Sequence, residues 1–316
     1  MKTLFILAVF FFSLYSSLLQ EPILQYVSSG GVVDMVADNN RLYVATTASC
    51  VDIFDIRSAK RINTIKVPKI KDFMEDIIDS KVYCVDTLDN RIVILSQGNK
   101  GSRRVHLFKQ GNLALLISNE DQLYISKVRF LDKNTLILGL LGNELISYDI
   151  EKKKINWRVH VSHSKFSDLV LNEKKDEIVV ADESGNLKIL SVNKGFLIDT
   201  LSGQNLDNVF QVDYKNGKIA TAGQDRRIVV YDRKSESAYY RTAPFLIYSV
   251  GLSPSGSKVG FASDENNNVT VFNTYTQETL GRFTGNKMTL TKILFLDENA
   301  FLVSSDDKVI NLFQVK

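Results

Sequence analysis

The chain has 316 residues, 44% of them hydrophobic, with 39 basic and 36 acidic side chains and a formal net charge of +3. That balance excludes the concentrated basic stripe expected of a nucleic-acid-binding surface, while the apolar content is ample for a folded core. The two cysteines, Cys50 and Cys84, lack the CxxC or CxxCH spacing of a redox or haem-attachment motif.

Residues 1–20 differ in kind from the rest. Lys2 is their only charge, an apolar run follows from Leu4 to Phe12, and the small-polar stretch Ser13 to Ser17 comes next. This layout reads as a secretory signal peptide, with an apolar core short of the roughly 20 residues of a membrane span. Leu14 and Tyr15 fall where a cleavage site prefers small residues, so an uncleaved anchor is the alternative. No cysteine closes the apolar run, which argues against a lipoprotein anchor. Removing the segment leaves 38 basic against 36 acidic residues, and no Pro-rich, Gly/Ser-rich or single-charge block marks a linker. Residues 21–316 are therefore expected to form one domain. The chain carries one glycosylation acceptor, Asn268-Val269-Thr270, which favours a bacterial envelope over a eukaryotic exterior.

From Arg41 onward a unit recurs: an apolar strand, a polar turn, and a second apolar strand ending in an aromatic–Asp or aromatic–Asn pair. Its starts fall at Arg41, Lys81, Thr135, Glu177, Lys218, Lys258 and Ala300, in steps of 40, 54, 42, 41, 40 and 42 residues. Periods near 40 are those of propeller blades, and the β-branched and aromatic runs bounded by Gly, Asn and Asp are strand and turn signals. The spacing predicts an all-β, seven-bladed β-propeller.

Within this frame Cys50 falls on the second hairpin of blade one and Cys84 on the second strand of blade two, both as small buried hydrophobes. Asp86 to Asn90 reads as the turn between the second and third strands of blade two. The long step then places an insertion after Arg91 to Gln97. Either Arg103 to Lys109 or Asn112 to Ser118 is the outer strand of that blade, with the former favoured. Blade five reads as Val209 to Tyr214, Lys218 to Gly223, Ile228 to Asp232 and Ser237 to Ala243. The last unit supplies only three strands, Leu290 to Leu296, Ala300 to Ser305 and Lys308 to Val315. Its missing strand is expected from Ile23 to Ser29, which would close the ring and cover an open edge.

The pairs Phe54-Asp55, Tyr148-Asp149 and Tyr231-Asp232, the variant Phe272-Asn273, and the turn Ser253 to Gly256 resemble the WD40-repeat family across the chain. No Trp-Asp pair and no Gly-His dipeptide occur, so the family's buried His–Asp network is expected to be absent and the blades to be held mainly by apolar packing. The whole-chain architecture with its leader is similar to the WD40-like accessory proteins encoded with some periplasmic nitrate reductases. That resemblance implies a non-catalytic protein, with a molybdoenzyme or its electron-transfer subunits as partner.

Chemistry-bearing constellations are few. His160 and His163 lie at the end of the outer strand of blade three and in the next loop, without the further ligands zinc requires. Gly251 to Gly256 has the wrong spacing and context for a serine nucleophile elbow. Asp264 to Asn268 lacks the Gly and distant Glu of a helix–loop–helix calcium site. Leu145 to Val159, with the only tryptophan, Trp157, occurs once, whereas quinoprotein propellers repeat such a unit in nearly every blade. The expectation is no catalytic set, metal or cofactor. Candidate partner contacts are His163, Lys165, Arg226, Arg227, Phe245 and Lys287, on the face that carries the loops between blades, because basic and aromatic residues are enriched in interface hot spots. Two other classes stay open: an envelope-assembly scaffold, and a lactonase-like or quinoprotein-like enzyme using the central channel.

Overall fold

The computed structural model describes residues 18–316, so most of the expected signal segment, residues 1–17, lies outside the described residues. Seven sheets form a ring of blades, each an antiparallel set of four strands labelled a to d from the axis outward. The innermost strands are Val32–Asp38, Val82–Leu88, Ile125–Asp132, Phe166–Leu171, Val209–Lys215, Val250–Leu252 and Leu290–Phe295. Blade five follows the sequence reading to within one residue at every strand end: Val209–Lys215, Lys218–Gly223, Arg227–Asp232 and Ser237–Thr242.

Ring closure is as expected. Leu24–Val27 pairs antiparallel with the last strand, Val309–Gln314, and completes blade seven. Tyr26 is the anchor. It is fully buried, its hydroxyl donates to the Ile56 carbonyl of blade one at 2.6 Å, and its ring meets Phe54 edge-on with centroids 5.8 Å apart. Just before it, Leu19–Gln20 adds a short parallel strand to the outer edge of blade six. The chain therefore ties two neighbouring blades before it enters blade one.

Blade two corrects the sequence reading. Its b strand is Arg91–Gln97, so Lys81 stands ahead of the inner strand and the b strands begin at Arg41, Arg91, Thr135, Glu177, Lys218, Lys258 and Ala300. Cys84 sits on the inner strand, and Asp89-Asn90 turns strand a into strand b with φ of 51° and 59°. Arg103–Lys109 and Asn112–Ile117 are both blade strands, third and outer. No insertion lies there. The surplus residues fall between blades one and two, where Ile70–Lys71 and Ile77–Ile78 form a small separate hairpin. The displacement has a local cause: the inner strand of blade two is as rich in β-branched and aromatic residues as a b strand. Its Asp-Asn turn also uses the left-handed conformations those residues tolerate.

Seven apolar clusters hold the ring, one between each pair of neighbouring blades. Period-2 alternation builds them. Met35, Val85, Val128, Leu169, Val212, Val250 and Ile293 occupy one position of the seven inner strands, and all are buried. The recurring aromatic–Asp pairs have a plain role at the ends of the c strands. Phe54, Tyr148, Tyr231 and Phe272 are buried. The following carboxylate or amide accepts from the backbone of the next turn, at Ser58, Lys152, Lys234 and Tyr275.

Apolar packing is not alone. Buried polar groups tie the loops between blades to the turns beside them. Asp182 accepts from Asn143 Nδ2, Ser162 and Ser184, and Asp52 accepts from the Ser29 amide, Ser29 Oγ and Thr64 Oγ1.

Candidate functional site

The residue preceding each of those buried apolar positions points to the axis. The ring reads Asp34, Cys84, Lys127, Asp168, Gln211, Ser249 and Lys292, opposite Ala45, Leu95, Gly139, Ala181, Ala222, Ala262 and Ser304 on the b strands. Small partners on most b strands leave room for long side chains to converge. Lys127 Nζ lies 2.9 Å from Asp168 Oδ1, Arg129 Nη2 lies 3.1 Å from Asp34 Oδ2, and Lys292 Nζ lies 3.8 Å from Asp34 Oδ1. All five side chains are largely removed from water, with Lys292 the most open at 22% exposure.

Burial and charge act against each other in this cluster. Burial alone would raise the Asp34 carboxyl, but Arg129, Lys127 and Lys292 hold it well below the usual carboxylate range. Burial disfavours the Lys127 ammonium, yet Asp168 and Asp34 push its pKa up. Lys292 is lowered by burial and by neighbouring Lys127. The Cys84 thiol is pushed up to about 11 by burial, with Arg129 pulling the other way. A thiol so shifted is mostly protonated near neutral pH and a poor nucleophile there.

One layer along the axis, carboxylates stitch one blade to the next through the backbone. Asp86 accepts from the Phe130 amide at 2.7 Å, and Asp213 accepts from the Leu252 amide at 2.8 Å. In the first layer Asp168 does the same for the Val212 amide at 3.3 Å. The inner charges therefore bind blades together.

The second site lies on the face that carries the d-to-a connections and the b-to-c turns, here the upper face. All six sequence candidates fall on it by topology. His163 and Lys165 are exposed on the connection into blade four, with Lys165 Nζ 3.6 Å from Glu183. Arg226 is exposed at the b-to-c turn of blade five, with φ of 63°. Arg227 is engaged with its own blade: it stacks 4.1 Å from the Tyr240 centroid and donates to the Gln204 carbonyl at 2.7 Å. Phe245 is 38% exposed on the connection into blade six, and Lys287 is exposed on the connection into blade seven beside Met288.

Phe210 and Tyr248 join this face unannounced by the sequence. Their rings stack at 5.4 Å, and Phe245 lies 6.3 Å from Tyr248. Together they make an aromatic group over blades five and six. The signal was hidden because Phe210 stands at a bulge between Val209 and Gln211. There the strand's two-residue alternation breaks, and the side chain reaches the rim.

The other singled-out residues resolve simply. His160 and His163 have ring centroids 4.9 Å apart, and both are exposed. Among the described residues, no group of three or more His, Cys, Asp or Glu is arranged to hold a metal ion. Among those same residues, no helix is long and apolar enough to cross a membrane. Ser253 to Gly256 is a turn between two strands, closed by Gly256 N donating to the Ser253 carbonyl. Trp157 packs on blade four and donates from Nε1 to the Val192 carbonyl at 3.1 Å. Cys50 and Cys84 are both buried free thiols. Asn268 is 5% exposed and donates to Asp264 Oδ2 at 2.9 Å, so the folded acceptor site is inaccessible to a glycan.

No family model matches this sequence, and no curated protein matches it significantly. The fold stands on the seven-bladed geometry itself.

Proposed function

We propose that this protein is a non-catalytic scaffold of the bacterial periplasm that docks a protein partner on its upper face. The accessory role would be assisting maturation or assembly of a periplasmic nitrate reductase, as in the NapL proteins its overall layout resembles. The observation that carries the reading is the Phe210, Tyr248 and Phe245 aromatic group on the same face as exposed Arg226, His163, Lys165 and Lys287. Aromatic area on a face that also carries exposed arginine and lysine is the composition that anchors protein interfaces. The inner charges support the same reading, because they are spent on holding blades to one another.

The test is affinity purification of tagged full-length protein from cells grown with and without nitrate, followed by the same experiment with Phe245→Ser and Arg226→Glu. Recovery of a molybdoenzyme or its electron-transfer subunits, reduced about tenfold by either substitution, is the expected outcome, since losing one hot-spot contact costs more than ~1 kcal/mol. Recovery of outer-membrane assembly components instead, or recovery indifferent to both substitutions, overturns the assignment.

A further inference from the structure

A hairpin outside the four-stranded blade repeat lies on the upper face, on the connection from blade one to blade two. Val67 and Ile70 are buried and root it, while Phe73, Met74 and Ile77 are 77%, 81% and 71% exposed at and beside its tip. These three apolar side chains, so close together on one short hairpin and each more than two-thirds in water, have no covering partner among the described residues. Scattered surface apolar residues need no explanation, but a contiguous set on a hairpin marks a contact surface.

The hairpin is built to hold that tip still. Asp72 Oδ1 accepts from the Met74 and Asp76 amides at 2.8 and 3.0 Å, and Glu75 takes a left-handed φ of 67° to make the turn. At the base, the Lys71 amide donates to Asn99 Oδ1 of the neighbouring turn at 3.0 Å. Lys69 reaches Asp79, and both Lys71 and Lys100 reach Glu75. A pre-shaped tip loses little conformational entropy on docking.

Charge identifies what it fits. The stretch from Asp72 to Asp79 carries Asp72, Glu75, Asp76 and Asp79 and no basic residue. Lys69, Lys71 and Lys100 answer Glu75 and Asp79, and Arg104 donates to the Pro68 carbonyl at the base, which leaves exposed Asp76 beside Ile77 without a cation among the described residues. An acidic apolar tip is repelled by the anionic surface of a bacterial membrane, where basic residues are favoured. It is complementary to an apolar pocket in a folded protein rimmed by lysine or arginine.

We infer that the hairpin Ile70–Ile78 is a preformed plug that inserts Phe73, Met74 and Ile77 into a basic-rimmed apolar pocket of a protein partner. The inference rests on the scaffold reading and adds to it a second, acidic contact across the upper face from the cationic rim.

The test places the photo-crosslinker benzoylphenylalanine at position 73 of the full-length protein in its own cells, with position 275, on the opposite face, as control. The expected result is one protein adduct from position 73 and none from 275. Sequencing of the joined peptide should put the link in an apolar cleft bordered by Lys or Arg. With that partner purified, Phe73→Ser and Ile77→Ser should each weaken binding at least tenfold, and Asp76→Lys several-fold in a salt-dependent manner. These positions are exposed, so the variants fold. Crosslinking to lipid, to a second copy of this chain, or to nothing overturns the inference. If a partner binds and depends on Phe245 and Arg226 but not on Phe73 or Ile77, the plug fails while the scaffold stands. If no variant on either side of the face changes binding, both fail.

Discussion

Arg129 of blade three reaches past blade two to Asp34 of blade one, with Nη2 donating to Oδ2 at 3.1 Å. On the way its Nη1 contacts Cys84 and donates to the Val85 and Val128 carbonyls. One guanidinium therefore links three blades at the axis. This is possible because inner strands remote in sequence converge at the axis, within one side chain's reach.

Removing the guanidinium leaves the Asp34 carboxylate buried with only Lys292, at 3.8 Å, and Lys127 as nearby cations. Breaking a buried pair by deleting one partner costs about 3–5 kcal/mol. Arg129→Leu is expected to lose stability on that scale in denaturant titration. The double variant Asp34→Leu/Arg129→Leu should lose clearly less than the sum of the two singles, because each single strands a charge. Additive losses would show that the pair is not coupled.

Ring closure makes a separate demand. Tyr26 fills the joint between blade seven and blade one and caps the Ile56 carbonyl. Tyr26→Ala is expected to cost about 3–5 kcal/mol by opening a cavity. Tyr26→Phe should cost roughly 1 kcal/mol for the lost hydrogen bond alone. Deleting residues 23–29 exposes the whole edge of Val309–Gln314 and should lower the melting temperature more than either point change. A deletion that melts like the parent would refute closure by this strand.

Signal cleavage offers a third check. Leu19 and Gln20 pair with Arg282 and Phe283 at the edge of blade six, and the Thr284 amide donates to the Gln20 carbonyl at 3.0 Å. Cleavage after residue 20 would remove that strand and leave Leu24–Val27 in place. Protein beginning at residue 18 is therefore expected to protect the Thr284 amide from hydrogen exchange more than protein beginning at residue 21. Equal protection would mean the short strand contributes nothing.

The ring was legible because three independent signals repeat with it: β-branched strand runs, Asn/Asp/Gly turns and aromatic–Asp strand ends. Phe54-Asp55 and Tyr231-Asp232 occupy the same place in their blades for the same reason, a buried ring followed by a turn-capping carboxylate. Blade two misled because Val82–Leu88 carries the composition of a b strand on an inner strand. The hairpin at Ile70–Ile78 misled in the opposite way, since each of its strands spans only two residues and four acidic residues mask the exposed apolar ones. The channel cluster was illegible for a deeper reason. Asp34, Lys127 and Lys292 look like the solvent-facing half of ordinary alternating strands, and only ring closure turns that half toward other blades.

His106 supplies the last prediction. It is 3% exposed in the third strand of blade two, and its Nε2 has no hydrogen-bond partner. Burial, and then the nearby Arg104 charge, lowers its pKa to about 4 from 6.5. The folded protein keeps the imidazole neutral, whereas the unfolded chain binds a proton below pH 6.5. Stability from this group is thus unaffected above pH 6.5 and falls as pH drops toward 4, by about 2 kcal/mol at pH 5. His106→Leu removes the titrating group and should flatten that part of the pH–stability curve, while the paired carboxylate Asp34, whose pKa lies below the usual range, continues to lose its contribution at lower pH. Denaturation midpoints of parent and variant between pH 7 and pH 5 decide it: curves that stay parallel would show that His106 is not held neutral in the fold.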